Sequence, residues 1–154
     1  VVDPAHLGLP SRHEKTLSIE VTGLERRLAE ADAFIIAVTE YNHSFPAAIK
    51  FVIDSFQDPW KAKPIAFVSY GGISGGLRAV EQLRLVFAEL HAVTIRDTVS
   101  FAGVWGLFDE NGQLIEPERA DKAMTTLLNQ LHWWAAGLRE MQARTPYGEV
   151  AIDA

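Results

Sequence analysis

The sequence predicts an α/β fold built on a doubly wound parallel sheet, and three observations carry that prediction. Ala33 to Val38 is a near-continuous apolar run of strand length, the pattern of a parallel strand covered on both faces. A second run, from Pro64 through Ile65, Phe67 and Val68 to Tyr70, follows after roughly the 30 residues of one βαβ unit. Each run passes into a loop and then a helical pattern, so strands and helices alternate.

The elements follow in chain order. Val1 to Asp3 reads as the tail of a strand, and "PAHLGLPSRHEK" after it as an irregular surface segment. Gly23 to Ala31 fits a short helix with Leu24 and Leu28 inward and Glu and Arg outward. The strand Ala33–Val38 ends in the polar tip Thr39-Glu40-Tyr41-Asn42-His43-Ser44. Pro46 suits the first turn of a helix, where its missing N–H would find no helical partner, and this helix runs over Pro46–Phe56. Ile49, Val52, Ile53 and Phe56 share its core face, leaving Ala47, Ala48, Phe51 and Ser55 on the far side.

"QDPWKAK" is a connection to the second strand, which ends in the glycine-rich turn "GGISGG", Gly71 to Gly76. A helix from Leu77 to His91 comes next. Ala92 to Ile95 and Val99 to Phe101 form the last strand, read as one bent element. "FDENGQL" is a turn pivoting on Asn111-Gly112. Pro117 opens a long helix to Met141, with Leu127, Leu131, Trp134 and Leu138 inward and Trp133 outward. No repeat, low-complexity tract or linker interrupts residues 1–154, which read as one domain.

Composition narrows the function. With 154 residues, 48% of them hydrophobic, the chain can bury a sizeable core. Its net charge is −6 and its cations are scattered, which argues against a nucleic-acid partner, since such binding is driven by phosphate neutralisation. The absence of cysteine excludes disulfides, thiolate chemistry and cysteine-ligated metals. No apolar run approaches the roughly 20 residues that span a bilayer, so no membrane association and a cytoplasmic location are expected. Asn42-His43-Ser44 matches a glycosylation sequon, but nothing else suggests secretion.

The strand count falls one short. A flavodoxin-like sheet of order 2-1-3-4-5 needs five strands, and about four are visible. If Val1–Val2 belongs to strand 2, then strand 1 is missing from the middle of that order, and two edges are left unpaired. The expectation is a flavodoxin-like sheet whose first βα unit is absent from this chain. A four-stranded variant is the alternative.

Chemistry gathers in two loops, "TEYNHS" and "SYGGISGG". Both follow parallel strands and precede helices, which places them on one edge of the sheet as neighbours. The first offers a flat aromatic, an amide and backbone N–H groups. The second has four glycines, whose missing Cβ atoms allow close backbone approach. Both lead into helix N-termini, which favour negative charge. Together they suit a planar, hydrogen-bonding ring. The glycine run is neither a Walker loop nor a Rossmann fingerprint, and a plain tight turn is the competing reading.

"EYNHSFPAAIKFVIDSF" resembles the Glu-Tyr-Asn-x-Ser-x-Pro segment and following helix of NAD(P)H-dependent FMN reductases. "KPIAFVSYGGISGGLRAVEQLRLVF" is similar to that family's Lys-Pro-Val strand, Gly-Gly turn and Leu-Arg helix, and "FDENGQL" to its acidic-Gly turn. The resemblance covers Val2 to Trp134. It implies bound FMN, NADPH or NADH as hydride donor, and homodimers or tetramers. Carried over by position, Glu40, Tyr41 and Asn42 would hold the flavin, and Ser69, Gly71, Gly72, Gly75 and Gly76 would line its other edge. Thr39 stands where the family has Pro. The family's phosphate-binding Gly-Ser-x-Arg loop follows strand 1, so these residues would hold the ring but not the phosphate.

Plainer readings stand beside these. Tyr41 fits an ordinary surface aromatic and Asn42 a turn cap. His43 replaces a small residue of the family and reads as an exposed loop histidine. His91 and His132 lack a second ligand at metal spacing, so no metal is expected. Asp54 reads as solvent-facing or cation-paired, and Arg78 as a surface arginine or a contact for a 2′-phosphate.

In the implied mechanism the flavin carries the chemistry and no side chain acts as acid or base. The acceptor would be a small molecule: a quinone, azo compound, metal oxyanion or free flavin. A flavodoxin-like electron carrier and a cofactor-free interaction domain are the other classes. The small residues around Phe51 predict self-association through helix 46–56, as a homodimer or a dimer of dimers.

Overall fold

The computed structural model describes residues 1–3 and 19–149. The irregular reading of "PAHLGLPSRHEK" falls outside them. Seven elements follow: α1 (Ile19–Ala29), β1 (Phe34–Thr39), α2 (Ala47–Asp54), β2 (Pro64–Gly71), α3 (Leu77–Glu89), β3 (Val93–Ala102) and α4 (Pro117–Arg144). The strands form one parallel sheet in the order β1-β2-β3. This fits the last three strands of the order 2-1-3-4-5.

Helices cover both faces, as the doubly wound prediction requires. On one face α1, α2 and α3 pack Leu24, Val52, Ile53, Val80, Leu83 and Phe87 against Phe34, Val38, Ile65 and Phe67. On the other, α4 lays Leu127 and Leu131 over Ala66, Ile95 and Val99. β2 is therefore buried on both sides, and Ile65, Ala66 and Phe67 are wholly inaccessible. β3 is one strand with a register shift opposite Ile65 and Phe67, which accounts for its broken hydrophobic pattern.

Several expectations need correction. Val1 to Asp3 is not a strand. In the 2-1-3-4-5 order strand 2 pairs only with strand 1, and no such strand is present among the described residues. Val2 instead rests against the α1 side of the core. β1 is not covered on both faces: Phe34 and Val38 are buried, but Ile35 is 45% exposed and Ala37 is exposed as well. α4 packs over β3 and β2, leaving the α4-side face of β1 open. Pro46 is not in the first helical turn but at the N-cap, with extended backbone (φ −64°, ψ 148°).

The connection "QDPWKAK" holds a core residue. Asp58–Trp60 forms a 3₁₀ turn that buries Trp60 to 2% exposure. Its indole N–H donates to the carbonyls of Phe56 (2.8 Å) and Ile53 (3.2 Å), closing the end of α2. The ring also packs edge-on against Phe34 and Phe87.

Candidate functional site

The C-terminal ends of β1, β2 and β3 bring three connections together. The first is a tight reversal. Tyr41 N–H donates to the Ser44 carbonyl at 2.9 Å, and Ser44 N–H returns the bond to Tyr41 at 3.0 Å. Asn42 and His43 between them have φ of 49° and 68°, the paired left-handed conformation of a type I′ turn. That geometry explains why a small residue suits position 43. It also turns Tyr41 and Asn42 into solvent, with Tyr41 63% exposed.

The second connection is the glycine run, whose glycines divide into two kinds. Gly75 (φ 61°) and Gly76 (φ 83°) are buried left-handed residues. A Cβ on Gly76 would stand 2.8 Å from Ser69 Cβ and 2.9 Å from the Tyr70 backbone. These glycines let the loop fold down onto its own strand. Ser69, fully buried, donates its hydroxyl to the Gly75 carbonyl at 2.8 Å, as does Ser100 at 2.9 Å. Gly71 is buried too, with Gly76 N 3.3 Å from its Cβ position. Gly72 alone of the four is partly open, and an added Cβ would meet only the Trp105 ring, at 3.9 Å.

Trp105 belongs to the third connection, which sequence reasoning missed. Val104–Gly106 is a 3₁₀ turn directly after β3, tied to the glycine run by a 2.9 Å bond from Gly103 N–H to the Gly72 carbonyl. Trp105 is 83% exposed at this edge. The available signal was its place just beyond the C-terminal end of the last strand, where α/β ligand sites gather.

Glu40 is placed differently from its neighbours Tyr41 and Asn42. Its side chain is only 8% exposed and points across to the start of α3. One carboxylate oxygen accepts from the Ser74 hydroxyl at 2.5 Å and from Arg78 N–H at 3.3 Å; the other accepts from the Arg78 guanidinium at 2.9 Å. The Ser74 hydroxyl, foremost, and Arg78 hold its pKa below the ordinary 4.5 against an opposing contribution from burial. Arg78 is thus committed to Glu40 here. One turn further along α3, Gln82 donates to the His43 carbonyl at 2.6 Å and accepts from the Ser44 hydroxyl at 2.7 Å.

The edge carries groups that a planar heteroaromatic ring could use. Tyr41 supplies a flat wall, Gly72 leaves room beside Trp105, and the amides of Asn42 and His43 take no part in the turn's own pair of bonds. A doubly charged phosphate is not accommodated at the α3 N-terminus, because the Glu40 carboxylate already occupies it. The chemistry of these residues suits the ring half of FMN, and the α3 N-terminus does not serve its phosphate. Among the described residues no cluster of His, Asp or Glu is arranged to hold a metal, and no helix is long and apolar enough to cross a membrane.

Comparison with known proteins identifies the lineage. A model of the NADPH-dependent FMN reductase family matches residues 1–106. The chain belongs to that family. It is 31% identical over 115 residues to an NADPH:quinone oxidoreductase of Arabidopsis thaliana, covering 71% of this chain and 59% of the relative. It is 28% identical over 143 residues to an NAD(P)H-dependent FMN reductase of Pseudomonas aeruginosa, covering 86% of this chain and 76% of that one. Among solved structures, the flavoenzyme NAD(P)H:(acceptor) oxidoreductase FerB of Paracoccus denitrificans superposes with a TM-score of 0.64 at 22% identity, over 88% of this chain and 78% of the other. That likeness shows the flavodoxin-like fold expected from the strand and helix pattern. The chain spans less than two thirds of several relatives it matches, such as 59% of the Arabidopsis protein.

Proposed function

We propose that this chain carries the ring-binding edge of an FMN-dependent oxidoreductase that takes hydride from NAD(P)H and passes electrons to a small acceptor. The observation that carries this is the convergence of the Tyr41–Asn42 turn, Gly72 and Trp105 at one sheet edge, beside a helix N-terminus already closed by Glu40. Family membership and the names of the relatives support it. A quinone is the favoured acceptor, because the Arabidopsis relative is named for one. A cytoplasmic location, where NAD(P)H is drawn upon, completes the reading.

When bound, the flavin supplies the hydride chemistry. The protein's part is to bind and orient. Tyr41 and Trp105 would flank the ring, and the amides of the Asn42–His43 turn would donate to its polar edge, where charge grows on reduction. Gly72 keeps the ring's approach clear of any Cβ.

The phosphate needs N–H donors beyond those at this edge. We assign them to a further βα unit on the free side of β1. Support comes from the β1 edge, which no strand pairs among the described residues, and from the exposed apolar face at Ile35 and Ala37, both of which such a unit would cover.

The absorption spectrum of purified, unheated protein, followed by NAD(P)H oxidation with a quinone, tests the reading. A flavin spectrum with steady turnover is expected from a form extended upstream. A flavin-bound protein that leaves NAD(P)H untouched is an electron carrier instead. A colourless protein that takes up no FMN in either form overturns the proposal.

A further inference from the structure

The resemblance assigns Glu40 to the flavin, but the geometry points elsewhere. We propose that Glu40 is a positioning residue whose carboxylate, working with Gln82, clamps the Tyr41–Ser44 turn and the glycine run to the first turns of α3, fixing the register of the two loops. The inference rests on the ring-binding reading only for its functional consequence; the clamp itself is a property of the fold.

Four observations converge. First, the carboxylate is turned inward and nearly covered, while Tyr41 next to it is exposed. Second, both its oxygens are engaged by groups on one short stretch, the Ser74 hydroxyl, the Arg78 amide and the Arg78 guanidinium. Three of its roughly four acceptor sites are thereby taken by the protein. Third, the Ser74 hydroxyl also lies 3.4 Å from Gly76 N–H, which extends the contact into the buried end of the glycine run. Fourth, Gln82 grips the far side of the same turn through the His43 carbonyl and the Ser44 hydroxyl. The turn is thus held at both ends by one helix, although 38 residues separate Glu40 from Arg78 and Ser44 from Gln82.

The clamp has a physical purpose. Two residues of the turn sit at positive φ, a conformation that persists only when surroundings enforce it. An open type I′ reversal on a sheet edge has few apolar contacts of its own. Charge-assisted bonds to a rigid helix supply the constraint, and a ligand ring then meets a preorganised edge.

Amide hydrogen exchange and FMN affinity, measured on wild type, Glu40→Ala, Ser74→Ala, the double variant and the control Glu140→Ala, test this. Glu140 pairs with Arg144 on the exposed surface of α4 and should change neither readout. Loss of the clamp should speed exchange at the Tyr41–Ser44 and Gly75–Arg78 amides about tenfold and weaken FMN binding by about the same factor. The double variant should add little to Glu40→Ala, since both remove one network. Flavin bound by the variant should also show altered visible circular dichroism, reporting a changed ring environment. Weakened FMN binding with wild-type exchange would mean that Glu40 touches the ligand, and the proposal would fall. Unchanged exchange and affinity in both single variants would also overturn it. If Glu40→Ala does not fold, Ser74→Ala, which removes one hydroxyl, carries the same comparison. Wild type that binds no FMN even when extended upstream would sink the functional reading, while exchange alone would still decide the clamp.

Discussion

Ser100 and Gly75 meet where β3 passes beneath the glycine run: the serine hydroxyl donates to the Gly75 carbonyl at 2.9 Å, and a Cβ on Gly75 would stand 2.3 Å from that same oxygen. The Ala102 backbone closes the other side at 3.0 Å. Gly75→Ala should therefore destabilise the protein. Left-handed backbone alone costs about 1–2 kcal/mol for a residue with a Cβ, and the clash adds to it. Urea unfolding would show a lower midpoint with an unchanged slope. Wild-type stability would mean the loop adopts another path in solution.

Gly72→Val is the companion experiment with the opposite expectation. Gly72 has no positive φ, and its Cβ position is open except for Trp105 at ordinary contact distance. The variant should fold with near wild-type stability yet lose FMN affinity, because the branched side chain fills the ring's approach. Gly76→Val is not a clean probe, since its Cβ would strike Ser69 and Tyr70. If Gly72→Val binds FMN as wild type does, the ring lies elsewhere.

The division between these glycines shows what the sequence could and could not display. "GGISGG" marks a loop at a strand end, but nothing in four identical residue types separates those packed against their own strand from the one facing outward. Ser69 reads the same way: a serine at a strand tip suggests a ligand contact, and only the fold of the loop reveals its hydroxyl spent on Gly75. The three strands and the two-sided burial of β2 were legible because hydrophobic runs report burial directly, whereas the open face of β1 was not. Trp60 was not, because a lone aromatic among Asp, Pro and Lys breaks that periodicity. Glu40 was legible as important but not in its role, since its partners lie on another element.

Trp60→Phe should cost about 1–3 kcal/mol. The ring contacts with Phe34 and Phe87 are partly retained, but the N–H that serves the Ile53 and Phe56 carbonyls is lost in a buried site. A thermal midpoint equal to wild type would show that those carbonyls find other donors.

Acid should release the loop clamp in a defined direction. The folded pKa of Glu40 lies below 4.5, so between the two values the unfolded chain binds more protons. Its contribution to stability is therefore present above about pH 4.5 and lost as pH falls through the lowered value. Lys63 acts on the alkaline limb. Its amine is lowered from 10.5 chiefly by burial, so stability rises as pH climbs through the lowered value toward 10.5. Denaturant titrations across the acid range should show a shallower acid loss in Glu40→Gln than in wild type; parallel curves would remove Glu40 as a contributor.

The last prediction concerns assembly. The inner face of α2 is fixed by Val52 and Ile53, both in the core. Its outer face presents Ala47 and Ala48 to solvent with Phe51 half-buried beside them, and only Lys50 and Asp54, paired to each other, carry charge. Small residues around an aromatic permit close helix-to-helix approach, and α2 begins three residues after the Tyr41–Ser44 turn closes. Self-association through this helix would set each ring-binding edge beside a neighbouring subunit. Ala48→Glu is the sharper test. It adds charge at an exposed site in the first helical turn, where a carboxylate favours the helix, so the fold should not suffer. Phe51→Glu removes the aromatic as well. Light scattering should show wild type as a dimer or tetramer and both variants as monomers, with weakened NAD(P)H turnover in the form extended upstream. Variants that remain oligomeric would move the interface to another face of the molecule.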